Sequence, residues 1–210
     1  MPTEERIALH TPVPGKTGAT IERAKHDQIR ATILAVLGPR GPLTYSQRTH
    51  YGFRRDNGHF FWTRVRGDFA LSARLTSAPN AQYDQCGLLV RADSETWVKC
   101  SAEYETATHS RLGSVVTTLG YSDWATQDVA GAVTDLWYRL RREGDDVFSD
   151  WSEDGAAWRQ MRVAHLHDCP AELLVGVYAC SPTGPGFTCT VSDLLVETAD
   201  EADPQGAADA

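Results

Sequence analysis

Five side chains of types that bind or transform small molecules recur at every second position of one short stretch. They are Trp97, Lys99, Ser101, Glu103 and Glu105. The intervening positions are mostly apolar, namely Val98, Cys100, Ala102 and Tyr104. Because the side chains of a β-strand alternate between its two faces, this stretch predicts a strand with one core-facing side. The other side would carry an indole, an ammonium, a hydroxyl and two carboxylates in a row.

The polar side of this strand has the composition of a carbohydrate site. An indole stacks on the apolar face of a sugar ring, while charged neighbours hydrogen-bond its hydroxyl groups in a cleft. Side chains of the preceding predicted strand could reach the same face, where the Arg91 guanidinium could pair with the Glu103 carboxylate. The predicted ligand-binding residues are Trp97, Lys99, Glu103, Gln85, Arg91 and Tyr178.

Two other interpretations of these residues stay open. A row of charges on a solvated sheet face is also typical of cross-strand ion pairs that bind no ligand. Glu103 and Glu105, with Cα atoms roughly 6.5 to 7 Å apart on one strand face, could act as acid and as nucleophile or base in glycoside hydrolysis. The chain lacks the Glu-x-Asp-x-(x)-Glu triplet of sandwich glucanases, so binding is favoured over catalysis and no catalytic residue is assigned.

Metal ligands are sparse and scattered. Asp123, Glu153 and Asp154 lie in predicted rim loops and could hold calcium, but calcium takes six or more oxygen ligands. His165 and His167 alternate and could chelate a metal, although a solvated strand end is the simpler interpretation. Five cysteines without a CxxC pair predict reduced thiols in a cytoplasmic protein rather than a zinc site. We therefore predict no metal and no cofactor.

The composition excludes two classes of partner. The 210 residues carry a net charge of −8 and a hydrophobic content of 41%, which suits one medium-sized domain with a substantial core. Binding to a nucleic-acid backbone needs clustered Lys and Arg, and an anionic membrane surface also repels excess acid. The sequence has neither a signal-like N-terminus nor a long apolar segment. We expect a cytoplasmic protein with no nucleic-acid or membrane partner.

Short runs of alternating hydrophobicity must position the candidate residues. Ten strands are predicted, over residues 60–66, 69–76, 85–91, 97–105, 110–119, 136–142, 146–152, 158–164, 173–181 and 187–198. Turns rich in Gly, Asp, Asn and Pro separate them without intervening helices, which is typical of an antiparallel sandwich or barrel. Residues 121–134 are predicted to be a loop. Its aromatic residue Trp124 could contact a sugar at the rim of the sandwich, but packing into the core is the favoured interpretation.

One helix is predicted, over residues 18–37. Ile21, Ala24, Ile29 and Ile33 recur there at helical spacing, and Gly38-Pro39 would end the helix. The predicted organisation is a lead-in with this helix over residues 1–46, a β-sandwich over 47–198 and a disordered acidic tail over 199–210.

A succession of short motifs resembles a bacterial and fungal family of unknown function. They include Thr49-His-Tyr-Gly-Phe53, Asp56-Asn-Gly-His59, Gly87-Leu-Leu-Val-Arg91, Trp97-Val-Lys99 and Ser122-Asp-Trp124. This family is described as concanavalin A-like or "regulation of enolase protein"-like, and the resemblance covers residues 48–197. It implies an all-β, antiparallel two-sheet jelly-roll sandwich of the lectin and glucanase type, with one concave sheet. Residues 14–45 resemble a small uncharacterised helical family, which implies a short N-terminal helical appendage.

The resemblance implies no activity, so the function is predicted from the residues. The predicted function is non-catalytic binding of a carbohydrate or another polyhydroxylated small molecule on the concave sheet. The alternative is a protein-interaction or regulatory module whose sheet docks a metabolic enzyme. A glycoside hydrolase that uses Glu103 and Glu105 is the third interpretation.

Overall fold

The computed structural model describes residues 29–36 and 44–198. These residues form fourteen strands and no helix. In chain order the strands are β1 (Ile29–Val36), β2 (Tyr45–Ser46), β3 (Arg55–Asp56), β4 (His59–Arg66), β5 (Phe69–Ala78), β6 (Gln85–Arg91), β7 (Trp97–Tyr104), β8 (His109–Thr118), β9 (Tyr121–Ala130), β10 (Asp135–Glu143), β11 (Asp146–Ser152), β12 (Arg159–His165), β13 (Glu172–Cys180) and β14 (Gly186–Thr198). Within this part of the chain, nothing has the length and hydropathy of a membrane-crossing helix.

Two six-stranded antiparallel sheets pack face to face. The front sheet has the order β4-β13-β6-β7-β8-β9, and the back sheet has the order β1-β14-β5-β10-β11-β12. Alternate side chains of both sheets meet in the main core, where fully buried residues include Leu71, Leu88, Val98, Leu112 and Leu140. Removing such side chains from water is the dominant favourable contribution to folding. The structure confirms the predicted all-β, antiparallel sandwich.

The predicted strands after residue 59 agree with the observed ones within two residues at each end. Those predicted over 85–91 and 146–152 coincide with β6 and β11. The predicted loop over 121–134 is wrong, because Tyr121–Ala130 forms β9 and pairs with β8 along its length. This edge strand is mostly exposed, so it lacks the alternation of apolar and polar residues that marks a half-buried strand.

The predicted helix over 18–37 is wrong for Ile29–Val36, which forms strand β1 at the edge of the back sheet. Its sequence contains the β-branched residues Ile29, Thr32, Ile33 and Val36, which suit a strand as well as they satisfy the helical spacing. The 13-residue β14 offers β1 a row of backbone partners, so pairing outweighs the local pattern. The rest of the predicted helix, the lead-in and the tail over 199–210 lie outside the described residues.

A hairpin formed by residues 44–58 lies over the outer face of the front sheet, and we call it the cover hairpin. Its two short strands, β2 and β3, pair with each other. The Tyr45 ring is 1% exposed and packs edge-on against Trp97 and Tyr178, with ring centroids 6.3 and 6.2 Å away. These residues belong to a second apolar cluster, separate from the main core. The cover hairpin therefore buries part of the face on which the candidate site was predicted.

Candidate functional site

The predicted polar face of β7 points away from the main core. Val98 and Cys100 belong to the main core, whereas Trp97 belongs to the cluster under the cover hairpin. The register places Gln85 of β6 opposite Glu103 and Arg91 opposite Trp97. Tyr178 of β13 hydrogen-bonds to Gln85, so it lies on the same side. All six predicted ligand-binding residues thus share the outer face of the front sheet.

Lys99 lies at the centre of a buried network of polar side chains. Its ammonium Nζ donates to the Tyr45 carbonyl oxygen at 3.1 Å and to Gln85 Oε1 at 3.0 Å. The Tyr178 hydroxyl lies 3.0 Å from Gln85 Oε1 and 2.8 Å from Ser101 Oγ. Burial lowers the pKa of Lys99 and raises that of Tyr178 well above its ordinary value. Lys99, Gln85 and Tyr178 are each at most 4% exposed, so the network holds its neighbours in position.

Trp97 is also closed off from solvent. Its side chain is 0% exposed, and its indole Nε1 donates to the Ser94 carbonyl at 3.3 Å. The hypothesis that Trp97 offers a stacking surface for a sugar does not fit this geometry, because the Tyr45 ring occupies that side. The alternating pattern of β7 shows which face Trp97 is on, but it carries no information about a hairpin that folds over that face.

Arg91 pairs with Asp56 of the cover hairpin rather than with a carboxylate of the front sheet. Its guanidinium makes a bidentate ion pair with Asp56, with N···O distances of 2.5 and 2.7 Å, and lies 5.6 Å from the Tyr45 ring centroid. The suggested pair between Arg91 and Glu103 is wrong. The register places these residues at opposite ends of the β6–β7 ladder, opposite Trp97 and Gln85 respectively.

Glu103 lies at the boundary between the covered and the open parts of the face. Its half-buried carboxylate accepts a short hydrogen bond from the Gln85 amide. Burial raises the pKa of Glu103 above its ordinary value; the Lys99 ammonium opposes this increase and the charge of Glu105 adds to it. Glu103 is thus the member of the predicted set that connects the buried network with the open surface.

The open part of the outer face carries five polar or aromatic side chains, which we call the polar shelf. They are Glu103, Glu105, Arg111, Trp124 and Asp128. Arg111 lies opposite both Glu103 and Asp128 in the sheet, and its Nε donates to Glu105 Oε1 at 3.0 Å. Its guanidinium lies 5.8 Å from the Trp124 ring centroid.

Gly113 lies two residues before Val115 on β8, and Val115 is opposite Trp124. Gly113 pairs with Ser101 on one side and with Thr126 on the other, and a Cβ at this position would clash with the Ala125 carbonyl oxygen. Trp124 is 38% exposed. The expectation that Trp124 packs into the core is therefore wrong, and the error follows from taking β9 for a loop.

The scattered acids and histidines are held by local partners. Asp123 and Glu153 each pair with an arginine, at 2.9 and 3.5 Å. Asp154 accepts two backbone N–H groups at 2.8 Å, which lowers its pKa to about 2. His165 Nδ1 lies 2.8 Å from Asp146 Oδ1. In residues 44–198, side chains able to ligate a metal do not gather in groups of three or more.

Two proteins from Saccharomyces cerevisiae resemble this chain along most of its length. The curated relative "Regulation of enolase protein 1" is 34% identical over 147 residues, which covers 70% of this chain and 73% of the relative. The crystal structure of a functionally unknown protein is 28% identical, with a TM-score of 0.71, and the match covers 83% of this chain and 90% of that one. The relationship therefore extends over the whole sandwich.

More distant structures share the fold alone. The crystal structure of xylan beta-1,4-xylosidase from Bacillus halodurans C-125 matches with a TM-score of 0.53 at 13% identity, covering 65% of this chain and 33% of that one.

A family profile, DUF1349, described as a protein of unknown function, matches residues 44–199. This match confirms the resemblance found in the motifs. The chain belongs to the DUF1349 family.

Proposed function

We propose that this chain is a non-catalytic module that binds a carbohydrate or another polyhydroxylated small molecule on the polar shelf. The observation that carries the proposal is Trp124, an indole that is 38% exposed on an open sheet face with Arg111 beside it. The ring supplies an apolar stacking surface, and the guanidinium and carboxylates supply donors and acceptors for hydroxyl groups. The stacking residue is thus Trp124, rather than the covered Trp97 predicted from sequence.

The residues predicted from sequence take supporting roles in this proposal. Lys99, Gln85 and Tyr178 fix the carboxylate of Glu103 from below, through the hydrogen bonds of the buried network. Arg91 anchors the cover hairpin beside the shelf through its ion pair with Asp56. A ligand-contacting group held by a second set of hydrogen bonds loses little freedom on binding, which favours affinity.

Binding is preferred to hydrolysis because the chain lacks the carboxylate triplet of sandwich glucanases. Glu105 accepts hydrogen bonds from Arg111 at 3.0 Å and from the Gln82 amide at 2.9 Å, and Glu103 accepts a hydrogen bond from Gln85. The remaining lone pairs of these carboxylates can still accept ligand hydroxyl groups. A glycoside hydrolase stays the third interpretation.

A glycan array followed by titration calorimetry tests the proposal. The full chain should bind at least one glycan, and Trp124→Ala should weaken that binding by roughly two- to tenfold, since an aromatic contact is worth about 0.5–1.5 kcal/mol. Trp158→Ala is the matched control, because this indole, just before β12, also lies beside an arginine, with Arg139 4.3 Å from its centroid. An array without any bound glycan, or equal effects of the two variants, would count against the proposal.

A second candidate is a regulatory module that binds a partner protein such as a metabolic enzyme. Two observations favour it: the name of the 34% identical relative, "Regulation of enolase protein 1", and the exposed rings of Tyr51 and Phe53 in the cover hairpin. Titration of the chain with purified enolase measures it directly. Heat of binding with a defined stoichiometry is expected, and its absence would remove enolase as the partner.

The free thiols of all five cysteines support a cytoplasmic location for either function.

A further inference from the structure

We infer that the tip of the cover hairpin, residues 48–55, is a docking surface for an acidic segment of a partner protein that carries an aromatic or aliphatic side chain. This inference rests on the second candidate function and names its surface and the chemistry of its partner. It is independent of carbohydrate binding, because it uses neither Trp124 nor Arg111.

The tip is a preformed turn. Thr49 stabilises this turn with two hydrogen bonds. The Thr49 carbonyl accepts a hydrogen bond from the Gly52 N–H at 2.9 Å, and the Thr49 hydroxyl accepts one from the Phe53 N–H at 3.0 Å. The base of the turn is tied to the front sheet, because the backbone N–H of Ser122 donates to the Gln47 carbonyl at 2.8 Å and the Gln47 N–H donates to Ser122 Oγ at 2.9 Å. A surface fixed in this way loses little conformational entropy when a partner binds.

Two aromatic rings project from this turn into solvent. Tyr51 is 69% exposed and Phe53 is 57% exposed, and they flank Gly52, which adopts a φ of 78° that favours glycine. Large aromatic side chains are normally buried, and exposed groups of them mark sites of protein interaction. They are also frequent among the residues that dominate binding energy at interfaces.

The same turn carries three arginines that have no carboxylate partner within residues 44–198. Arg48, Arg54 and Arg55 are exposed, and none forms a salt bridge with a residue that the structure describes. The arginines elsewhere in the sandwich mostly have such a partner within 4.0 Å, namely Arg64, Arg74, Arg91, Arg111, Arg139, Arg141, Arg159 and Arg162. Guanidiniums without a carboxylate partner among the described residues are thus concentrated at one turn of a chain with a net charge of −8. Their planar donors match carboxylates.

An acidic protein segment fits this surface better than other anionic partners. Binding along a nucleic-acid backbone needs a stripe of basic residues, whereas the tip offers three arginines within eight positions and the rest of the chain is acidic. Stable attachment to an anionic membrane needs a second anchor besides one small basic patch. Two rings between three guanidiniums instead match a short peptide that alternates carboxylates with apolar side chains.

Selection from a phage-displayed library of random 12-residue peptides tests the inference on the full chain. Enriched peptides should combine Asp or Glu with Phe, Trp or Leu. The affinity of the best synthetic peptide should fall at least tenfold in the double variant Arg54→Glu/Arg55→Glu and in Tyr51→Ala/Phe53→Ala, and it should weaken as salt rises. Arg66→Glu is the matched control, since Arg66 is another exposed arginine without a described salt bridge, and it should change the affinity less than twofold.

Several results would overturn the inference. Enriched peptides without acidic residues would contradict the proposed partner chemistry, and equal binding to the arginine double variant would contradict the proposed location. Binding of single-stranded DNA, or of vesicles of phosphatidylcholine with phosphatidylserine, that is tighter than binding of the peptide would also contradict the proposed partner chemistry. Trp124→Ala should leave peptide binding unchanged, which separates this surface from the polar shelf. If enolase binds but its binding survives both double variants, the second candidate function stands and only the docking surface fails.

Discussion

At the scale of single residues, the buried Lys99 decides what the front sheet can do. Burying an ammonium costs free energy unless the group is hydrogen-bonded. The Tyr45 carbonyl oxygen and Gln85 Oε1, both neutral, accept hydrogen bonds from the Lys99 ammonium. Gln85 accepts from Lys99 through its oxygen and donates to Glu103 through its nitrogen. The orientation of the Gln85 amide is therefore fixed from both ends. The network transfers this order to Glu103 at the edge of the polar shelf.

The raised pKa of Glu103 predicts a pH dependence of stability. Because burial raises this pKa above 4.5 in the folded chain, the folded state holds the Glu103 proton more tightly than the unfolded state does. The contribution of Glu103 to stability is therefore fully present below pH 4.5 and is lost as the pH rises through its folded pKa. Gln at position 103 does not titrate. The unfolding free energy of Glu103→Gln minus that of the natural chain should thus increase as the pH rises above about 4.5.

Urea denaturation of both chains at several pH values measures this difference. The slope of unfolding free energy against urea concentration should match between the two chains, so that only the midpoint differs. A difference that is constant or that decreases with pH would mean that the folded state does not raise the pKa of Glu103.

At the scale of elements, the ion pair between Arg91 and Asp56 is one of a few contacts that hold the cover hairpin on the front sheet. The Arg91 and Asp56 side chains are 15% and 30% exposed, so solvent screens this pair less than the surface pairs. The remaining contacts of the cover hairpin with the front sheet include the Tyr45 ring and the hydrogen bonds of Gln47. The hairpin is short, and its two strands contain two residues each, so it cannot be stable without these contacts.

Asp56→Ala should loosen the cover hairpin. The substitution leaves the largely buried Arg91 guanidinium without its carboxylate, which should lower the free energy of unfolding by about 1.5–3 kcal/mol. Amide hydrogen exchange of residues 44–58 should accelerate more than that of β6 or β7. Glu172→Ala is the control, because it breaks the exposed pair with Arg64, whose side chains are 61% and 49% exposed. This control should cost less than about 1 kcal/mol; an equal cost of both variants would contradict the role of Asp56.

The elements that could be predicted from sequence are those whose own residues carry the strand signal. β6 is a short apolar run that is buried on both faces, whereas β11 alternates in part, and the predicted bounds of both match the structure. β1 and β9 are edge strands, and their pairing is decided by the neighbouring strand rather than by local composition. A long-range contact also explains why the predicted sugar-stacking role of Trp97 does not fit the structure. Alternation along the strands predicts that the six candidate residues share one face. It does not predict that Tyr45 covers Trp97 on that face, because neither segment encodes this contact in its own pattern.

At the scale of the whole molecule, the two proposed surfaces are physically connected. The Arg48 guanidinium lies 5.2 Å from the centroid of the Tyr121 ring, and Tyr121 begins the strand that carries Trp124. β9 therefore supports the docking tip at one end and supplies the aromatic ring of the polar shelf further along. A partner on the tip and a ligand on the shelf would thus both bind beside β9, so both functions can belong to one molecule.

The completeness of the back sheet depends on β1. This strand pairs with β14 from Val36 opposite Gly186 to Ile29 opposite Leu194, and its removal would leave the outer edge of β14 without partners. A chain that begins at residue 37 should therefore melt at least about 5 °C lower, and it should self-associate because an open edge recruits other strands. Calorimetry and light scattering measure these effects, with a chain that ends at residue 198 as the control for shortening. Hydrogen exchange should rise at Gly186–Leu194 of the shortened chain. An unchanged melting temperature without residues 1–36 would mean that β14 closes the sheet on its own.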